Sequence, residues 1–437
     1  MPLVRSFTIL LLSAFCAVCS AQNADSLCLA MMTSGDGLSL RRLVMEQDNG
    51  GQNTQQGAMS KEMMALCKAY VRGCMGDAHR AASDMRRALK RGAPLLDEPL
   101  MSRLTFGMAL QQHRAGKHRK AAKTLRRYLS ERDSFAMRAT FEQYEQLFRA
   151  YASRRMWRLN RHDAMVPFRL DSVGQRESRS VAVLIPAEVN GRKTDFMLDT
   201  GATLNVVSRS VADSLNLEPL GVSVSFDGMG KNSGSLALAK RISMGNLMIE
   251  NVPFCVIADP PSSAAHLHAI LGQPLLEALG VVQLDFQRKQ LISSAEDRQD
   301  NVSEASYEAN LSCGFADNGL RVEAWHHGRA FGVIPDTGAT HSALSTADAP
   351  AQRDYIVSNY PSREVVFVGW GGQRTGLEYL YPQYDVKIGA TVVSLPMMYV
   401  FDGADYDSRL GMDFFSRCER VTFYMRYPMS LRVISRK

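Results

Sequence analysis

The chain has 437 residues, 46% of them hydrophobic and 22% charged, with a formal net charge of +7 at neutral pH. That balance excludes an intrinsically disordered chain, and the length sets an expectation of two to four domains. No stretch reads as a membrane span, since the one long apolar run, at the N-terminus, is too short for a stable crossing.

That run belongs to residues 1–21, which read as a secretory leader. Arg5 precedes an apolar stretch from Phe7 to Val18, and Cys19-Ser20-Ala21 stand ahead of Gln22. Cleavage is expected near Ala21, placing the mature chain outside the cell or in a periplasm. Acylation at Cys16 or Cys19 is the alternative, a lipoprotein, and the one route to membrane association. Cys28, Cys67, Cys74, Cys255, Cys313 and Cys418 remain, too scattered to form a disulfide framework. No CxxC pair follows the leader, no HExxH occurs, and the nine histidines are dispersed. Neither a metal nor a cofactor is expected.

Residues 22–160 are expected to form a helical domain. Across 60–156 apolar residues recur at spacings of three and four with few β-branched residues, the helical signature. Residues 22–59 are less regular, and 50–57 (GGQNTQQG) read as a loop. Two segments, 76–89 and 116–129, align so that Gly76, Ala81 and Met85 match Gly116, Ala121 and Leu125. They resemble the inner helix junction of tetratricopeptide-type hairpins, at an offset of 40 residues against the usual repeat of about 34. This domain holds 24 Lys/Arg against 13 Asp/Glu, whereas residues 161–437 hold 26 against 31. A basic helical module could dock on an acidic protein partner or on its own C-terminal part; a solvated basic face is the plain alternative. Without interleaved aromatics, nucleic-acid binding is not expected.

Beyond the helices the chain repeats itself. Asp199-Thr200-Gly201-Ala202 recurs as Asp336-Thr337-Gly338-Ala339, inside FMLDTGATLNVVS (196–208) and VIPDTGATHSALS (333–345). Met244-Gly245 and residues 253–257 answer Ile388-Gly389 and residues 396–400. Ile270-Leu271-Gly272 answers Arg409-Leu410-Gly411, and VVQLDF (281–286) answers RVTFYM (420–425). These landmarks keep their order at offsets of 137 to 144, which describes a tandem repeat of one β-rich lobe. The boundaries read 166–292 for the first lobe, 293–310 for a polar linker and 311–437 for the second lobe.

These residues resemble the aspartic peptidases, over about residues 166–437, and each lobe is most similar to a retropepsin-type monomer. The resemblance implies helical hairpin repeats followed by two homologous all-β acid-protease lobes, a multidomain α plus β chain. It implies an endopeptidase acting on peptide or protein substrates, with Asp199 and Asp336 as one catalytic pair. Two carboxylates about 3 Å apart share a proton, so neither can be named acid or base alone. By resemblance, Thr200 and Thr337 would cross to the opposite turn, and Leu271-Gly272 and Leu410-Gly411 would pass beneath the aspartates. Gly201 and Gly338 let backbone N–H groups approach. Ala202 and Ala339 stand where pepsin-like enzymes carry Ser or Thr. Losing that hydroxyl donor should raise the pair's pKa and favour mildly acidic conditions.

Two glycine-rich turns could cover a bound peptide: Gly228-Met229-Gly230 and Gly369-Trp370-Gly371-Gly372. Pro335, directly before Asp336, removes a backbone donor; it either faces outward harmlessly or distorts the second turn. Two other readings stay open. One is a non-catalytic peptide-binding scaffold that recruits a partner through its helices. The other is a latent enzyme with residues 22–165 as an inhibitory pro-segment.

Overall fold

The structure, a computed structural model, describes residues 24–49, 58–173, 180–227, 231–260, 268–294, 308–317, 319–348, 350–369, 372–402 and 406–436. The expected leader with Cys16 and Cys19, the expected loop at 50–57 and the middle of the expected linker lie outside them. Among the described residues seven α-helices precede the first strand. They are α1 (Ala24–Ser34), α2 (Gly37–Asp48), α3 (Lys61–Cys74), α4 (Ala78–Gly92), α5 (Glu98–Arg114), α6 (His118–Glu131) and α7 (Arg138–Ala152). Side-chain oxygens of Asp36, Ser60, Asp77 and Asp97 each accept the N–H three residues on, at 2.9 to 3.2 Å. Each such cap satisfies a donor that the first helical turn leaves unpaired. Gly76 and Gly116 follow α3 and α5 with φ of 97° and 72°, a conformation glycine adopts without a Cβ penalty. Ala81, Met85, Ala121 and Leu125, matched in the sequence, are all fully buried.

From Arg158 onward the chain is β-rich. In the N-terminal β half, Arg192–Leu198 runs parallel to Ala269–Leu271, with Leu198 opposite Leu271. Val206–Ser208 lies antiparallel on the other side of 269–271 and parallel to Leu247–Ile257. The C-terminal β half has the same pairings. Arg329–Pro335 is parallel to Arg409–Leu410, and Ala343–Ser345 lies antiparallel to 409–410 and parallel to Thr391–Phe401. Alternating apolar residues send one face of these strands into a single cluster that includes Phe196, Phe254, Phe414 and Phe423.

An antiparallel run of strands joins the halves, in the order 308–313, 430–435, 418–424, 281–285, 290–293 and 164–167. At its centre Val282 faces Phe423 and Leu284 faces Val421. The two segments matched in sequence, VVQLDF and RVTFYM, therefore pair with each other. The linker is shorter than the sequence suggested. Ser293 still belongs to a strand opposite Ala164, and Glu308–Asn310 pair with Ser430–Arg432.

The helices do not stand apart from the sheets. Phe315, in a turn of the C-terminal half, is fully buried among them and stacks on Tyr70 with ring centroids 4.8 Å apart. Its backbone is held too: Gln111 donates to Phe315 O at 3.2 Å, and Arg114 donates to Gly314 O at 3.0 Å and Asp317 O at 2.8 Å. On the other side α7 and the residues just after it meet the paired strands Glu218–Asp227 and Lys231–Met244 of the N-terminal half. Gln143 donates to Ser225 O at 3.0 Å, and Arg154 pairs with Glu218. Cys28, Cys67, Cys74, Cys255, Cys313 and Cys418 are all buried free thiols. Among the described residues no helix is long and apolar enough to cross a membrane.

Candidate active site

Two parallel strand pairs deliver Asp199 and Asp336 to the same place. Asp199 N donates to Leu271 O and Asp336 N to Leu410 O, each at 2.9 Å. Each chain then turns back on its own carboxylate. Asp199 Oδ1 accepts the N–H of Gly201 and Ala202, both at 2.9 Å, and Asp336 Oδ1 accepts those of Gly338 and Ala339 at 2.9 and 3.1 Å.

The turns interlock. Thr200 Oγ1 donates to Pro335 O at 2.5 Å and Thr337 Oγ1 donates to Leu198 O at 2.7 Å. Thr200 Oγ1 also accepts the backbone N–H of Thr337 at 3.0 Å, and Thr337 Oγ1 that of Thr200 at 3.1 Å. Both threonines are buried, so these bonds form in a low-dielectric setting where losing one leaves an unpaired polar group. Pro335 leaves this geometry intact, because the lock uses its carbonyl. Each carboxylate ends against the opposite glycine. A Cβ added to Gly201 would lie 2.5 Å from Asp336 Cγ, and one added to Gly338 would lie 2.3 Å from Asp199 Cγ. The sequence suggested room for backbone N–H groups; the structure shows the room is also taken by the opposing carboxyl.

Beneath the turns, Gly272 and Gly411 come so close to the loops after each aspartate that a Cβ would meet Ala202 O at 2.4 Å and His341 C at 2.6 Å. Sequence reasoning missed the residues that brace this contact. Gly272 N donates to Asn205 Oδ1 and Gly411 N to Ser342 Oγ, each at 3.0 Å. Asn205 and Ser342 are buried polar residues, each six positions after its aspartate. That shared offset was the available signal. A third unforeseen neighbour is Arg409, whose Nη1 lies 3.3 Å from Asp336 Oδ2. The flap candidates fall only in part within the described residues. Gly228, Met229, Gly230, Trp370 and Gly371 lie outside them, and Gly369 and Gly372 pair with each other at the end of a hairpin.

Asp199 is held well above the ordinary carboxylate range. Burial contributes most, then the charge and hydrogen bond of Asp336, against the pull of the Ala202 and Gly201 N–H groups. The folded chain therefore keeps this proton to a higher pH than the unfolded chain does. Folding stability is lost as pH rises from the usual aspartate range through the raised value. Asp199→Asn, neutral throughout, is expected to melt at a higher temperature than the wild-type chain at pH 7 and at nearly the same temperature at pH 3. Thermal melts across that range check the sign, and a constant difference would contradict it.

A cavity of ≈ 1200 Å³ is lined by Phe106 and Tyr144 of the helices, Leu204 and Val224 of one β half, and Arg321 and Ile334 of the other, and neither Asp199 nor Asp336 lines it. Ile334 lies two residues before Asp336. The space exceeds a drug-sized pocket of about 300–1,000 Å³. Among the described residues no group of three or more His, Cys, Asp or Glu is placed to hold a metal ion.

Residues 185–275 match the family model described as aspartyl protease, a segment that takes in Asp199 and Leu271-Gly272 and ends before Asp336. The chain is also similar to two solved structures of 12% identity. Conglutin gamma, a basic 7S globulin from lupine seeds, is covered over 96% of its length by 62% of this chain, with a TM-score of 0.38. Basic 7S globulin from soybean is covered over 95%, again by 62% of this chain, with a TM-score of 0.37. At such scores neither likeness bears on the chemistry. No curated protein matches the chain.

Proposed function

We propose that this chain is an aspartic endopeptidase that hydrolyses peptide bonds with a water activated between Asp199 and Asp336. The observation that carries the reading is the threonine lock, which sets two carboxylates from distant parts of the chain against each other's glycines. Like charges so close hold one proton between them. The ionised carboxylate would draw a proton from the water as it attacks the scissile carbonyl. The protonated one would donate to the carbonyl oxygen as negative charge develops there. The family match over residues 185–275 supports the same chemistry.

Finer parts of the reading go with it. The two lobes derive from one repeated unit, as the paired motifs and matching strand registers suggest. The helices are of the tetratricopeptide kind and offer a surface to a protein partner. The chain is exported, with cleavage near Ala21. Substrate lies extended between the lobes, bonded through its main chain. Residues 22–160 stay in place in the working enzyme, because Phe315 anchors them and a released pro-segment would leave that ring exposed.

The test is incubation of the purified chain with an unstructured protein between pH 3 and 7, beside Asp199→Ala and Asp336→Ala. Wild-type cleavage, greatest at mildly acidic pH and absent from both variants, is the expected result. Cleavage surviving either substitution overturns the shared pair. Binding without cleavage by the wild-type chain favours the scaffold reading instead.

A further inference from the structure

We infer that Arg409 is a positioning residue that places the proton of the aspartate pair on Asp199 and the negative charge on Asp336, making Asp336 the group that deprotonates the attacking water. The inference deepens the peptidase reading and rests on it for its chemistry.

The asymmetry itself is geometric. The two turns agree in the Asp N–H to Leu carbonyl bond, in the pair of N–H groups on Oδ1, and in the threonine crossing. They differ at the remaining oxygen. Asp336 Oδ2 has the Arg409 guanidinium at 3.3 Å. The corresponding place in the other half, set by the same parallel register, is Ile270, 1% exposed and uncharged. A cation at that range favours the ionised form of a carboxylate. A pair that can hold one proton then keeps it on the other member.

Nearby charges do not divert the guanidinium. Arg321 pairs with Asp407 and lies 3.9 Å from Asp348, so both carboxylates are already matched. Arg409 meets Asp407 only at its backbone oxygen, 3.5 Å from Nε. Asp413, on the short helix after Gly411, accepts from Ser342 and Phe414. His341 packs its ring against Tyr399.

With the proton so placed, the water oxygen bonds to the scissile carbon while one water proton passes to Asp336 and the Asp199 proton passes to the carbonyl oxygen. In breakdown the Asp336 proton passes to the amide nitrogen as the C–N bond breaks. One hydroxyl of the tetrahedral carbon returns its proton to Asp199 as the carbonyl reforms. One water is consumed and the pair is restored.

The experiment combines pH profiles of kcat/KM for the wild-type chain, Arg409→Leu and Arg409→Lys with ¹³C carboxyl titrations of the aspartate-labelled chain, assigned through Asp199→Asn and Asp336→Asn. In the wild type Asp336 is expected to ionise first. Arg409→Leu should move the acid limb upward by about one unit or more, a tenfold or greater loss below the limb, with the plateau within a few-fold. Arg409→Lys should keep the limb. A lowered plateau with an unmoved limb marks a structural role and overturns the inference, as does a wild-type titration in which Asp199 ionises first. If the wild-type chain cleaves nothing, the peptidase reading falls. The carboxyl titration still decides the inference: Asp336 ionising first in the wild type, with that order lost in Arg409→Leu, upholds it.

Discussion

Phe315→Ala is expected to cost the chain about 3–5 kcal/mol, the range for emptying a fully buried aromatic site. The ring has no exposed surface, stacks on Tyr70 and sits among Leu66, Cys67, Leu104 and Met108 in the helical core. Yet it belongs to a turn of the C-terminal β half. Truncation therefore removes a joint between two parts of the molecule as well as filler from one of them. The helices are shaped for it: a Cβ on Gly73 or Gly107 would come within 2.7 or 2.3 Å of the ring. Gly107→Ala should weaken the same joint from the other side by about 1–3 kcal/mol, the usual cost of overpacking. Calorimetry is the check. A single wild-type transition should split in Phe315→Ala, the helical region melting first, whereas Leu377→Ala on the surface should shift little. An unsplit transition with a loss under about 1 kcal/mol would mean that the helices are held elsewhere.

Nothing in the sequence announced Phe315. It stands in a polar turn (CGFADNG) without periodicity, and its partners Gly73 and Gly107 lie more than 200 residues away. Contacts between separate parts of a chain leave no local pattern. The aspartate turns were legible because the motif is written twice: the same tetrapeptide, the same apolar run before it and the same Leu-Gly behind it, in the same order. Helices α3 to α7 were legible from apolar spacing. α2 was less so, since its start depends on the single cap from Asp36. Arg409 shows the opposite limit. Its alignment with Ile270 was visible in the sequence, but that its guanidinium would reach Asp336 depends on a strand register only the fold supplies. Glu308–Asn310, expected in the linker, form a strand by pairing with Ser430–Arg432, a partner the local sequence does not announce.

On the proposed peptidase activity, Gly338→Ala is expected to lower kcat/KM by about 10²-fold or more while leaving the chain folded. Glycine is not needed there for backbone freedom, since neither Gly201 nor Gly338 has a positive φ. It is needed for space. An added Cβ would lie 2.3 to 2.6 Å from the carboxyl atoms of Asp199, closer than real contacts allow, and the turn carrying it cannot retreat. Asp336 N is bonded to Leu410 O, Thr337 is locked into the opposite strand, and Ala339 N is bonded to Asp336 Oδ1. The Asp199 carboxyl must therefore rotate or shift by about 1 Å, and a displacement of that size at reacting groups costs about 10²-fold. Gly201→Ala should act in the same way on Asp336, at 2.5 to 2.8 Å. Because both changes spoil one shared geometry, the double variant should be little worse than the poorer single one, a non-additivity that separate effects would not produce. Steady-state kinetics on one peptide substrate, with circular dichroism to verify folding, measures all four chains. Wild-type rates in a folded Gly338→Ala chain would mean that these two carboxylates do not need to meet for the reaction to proceed.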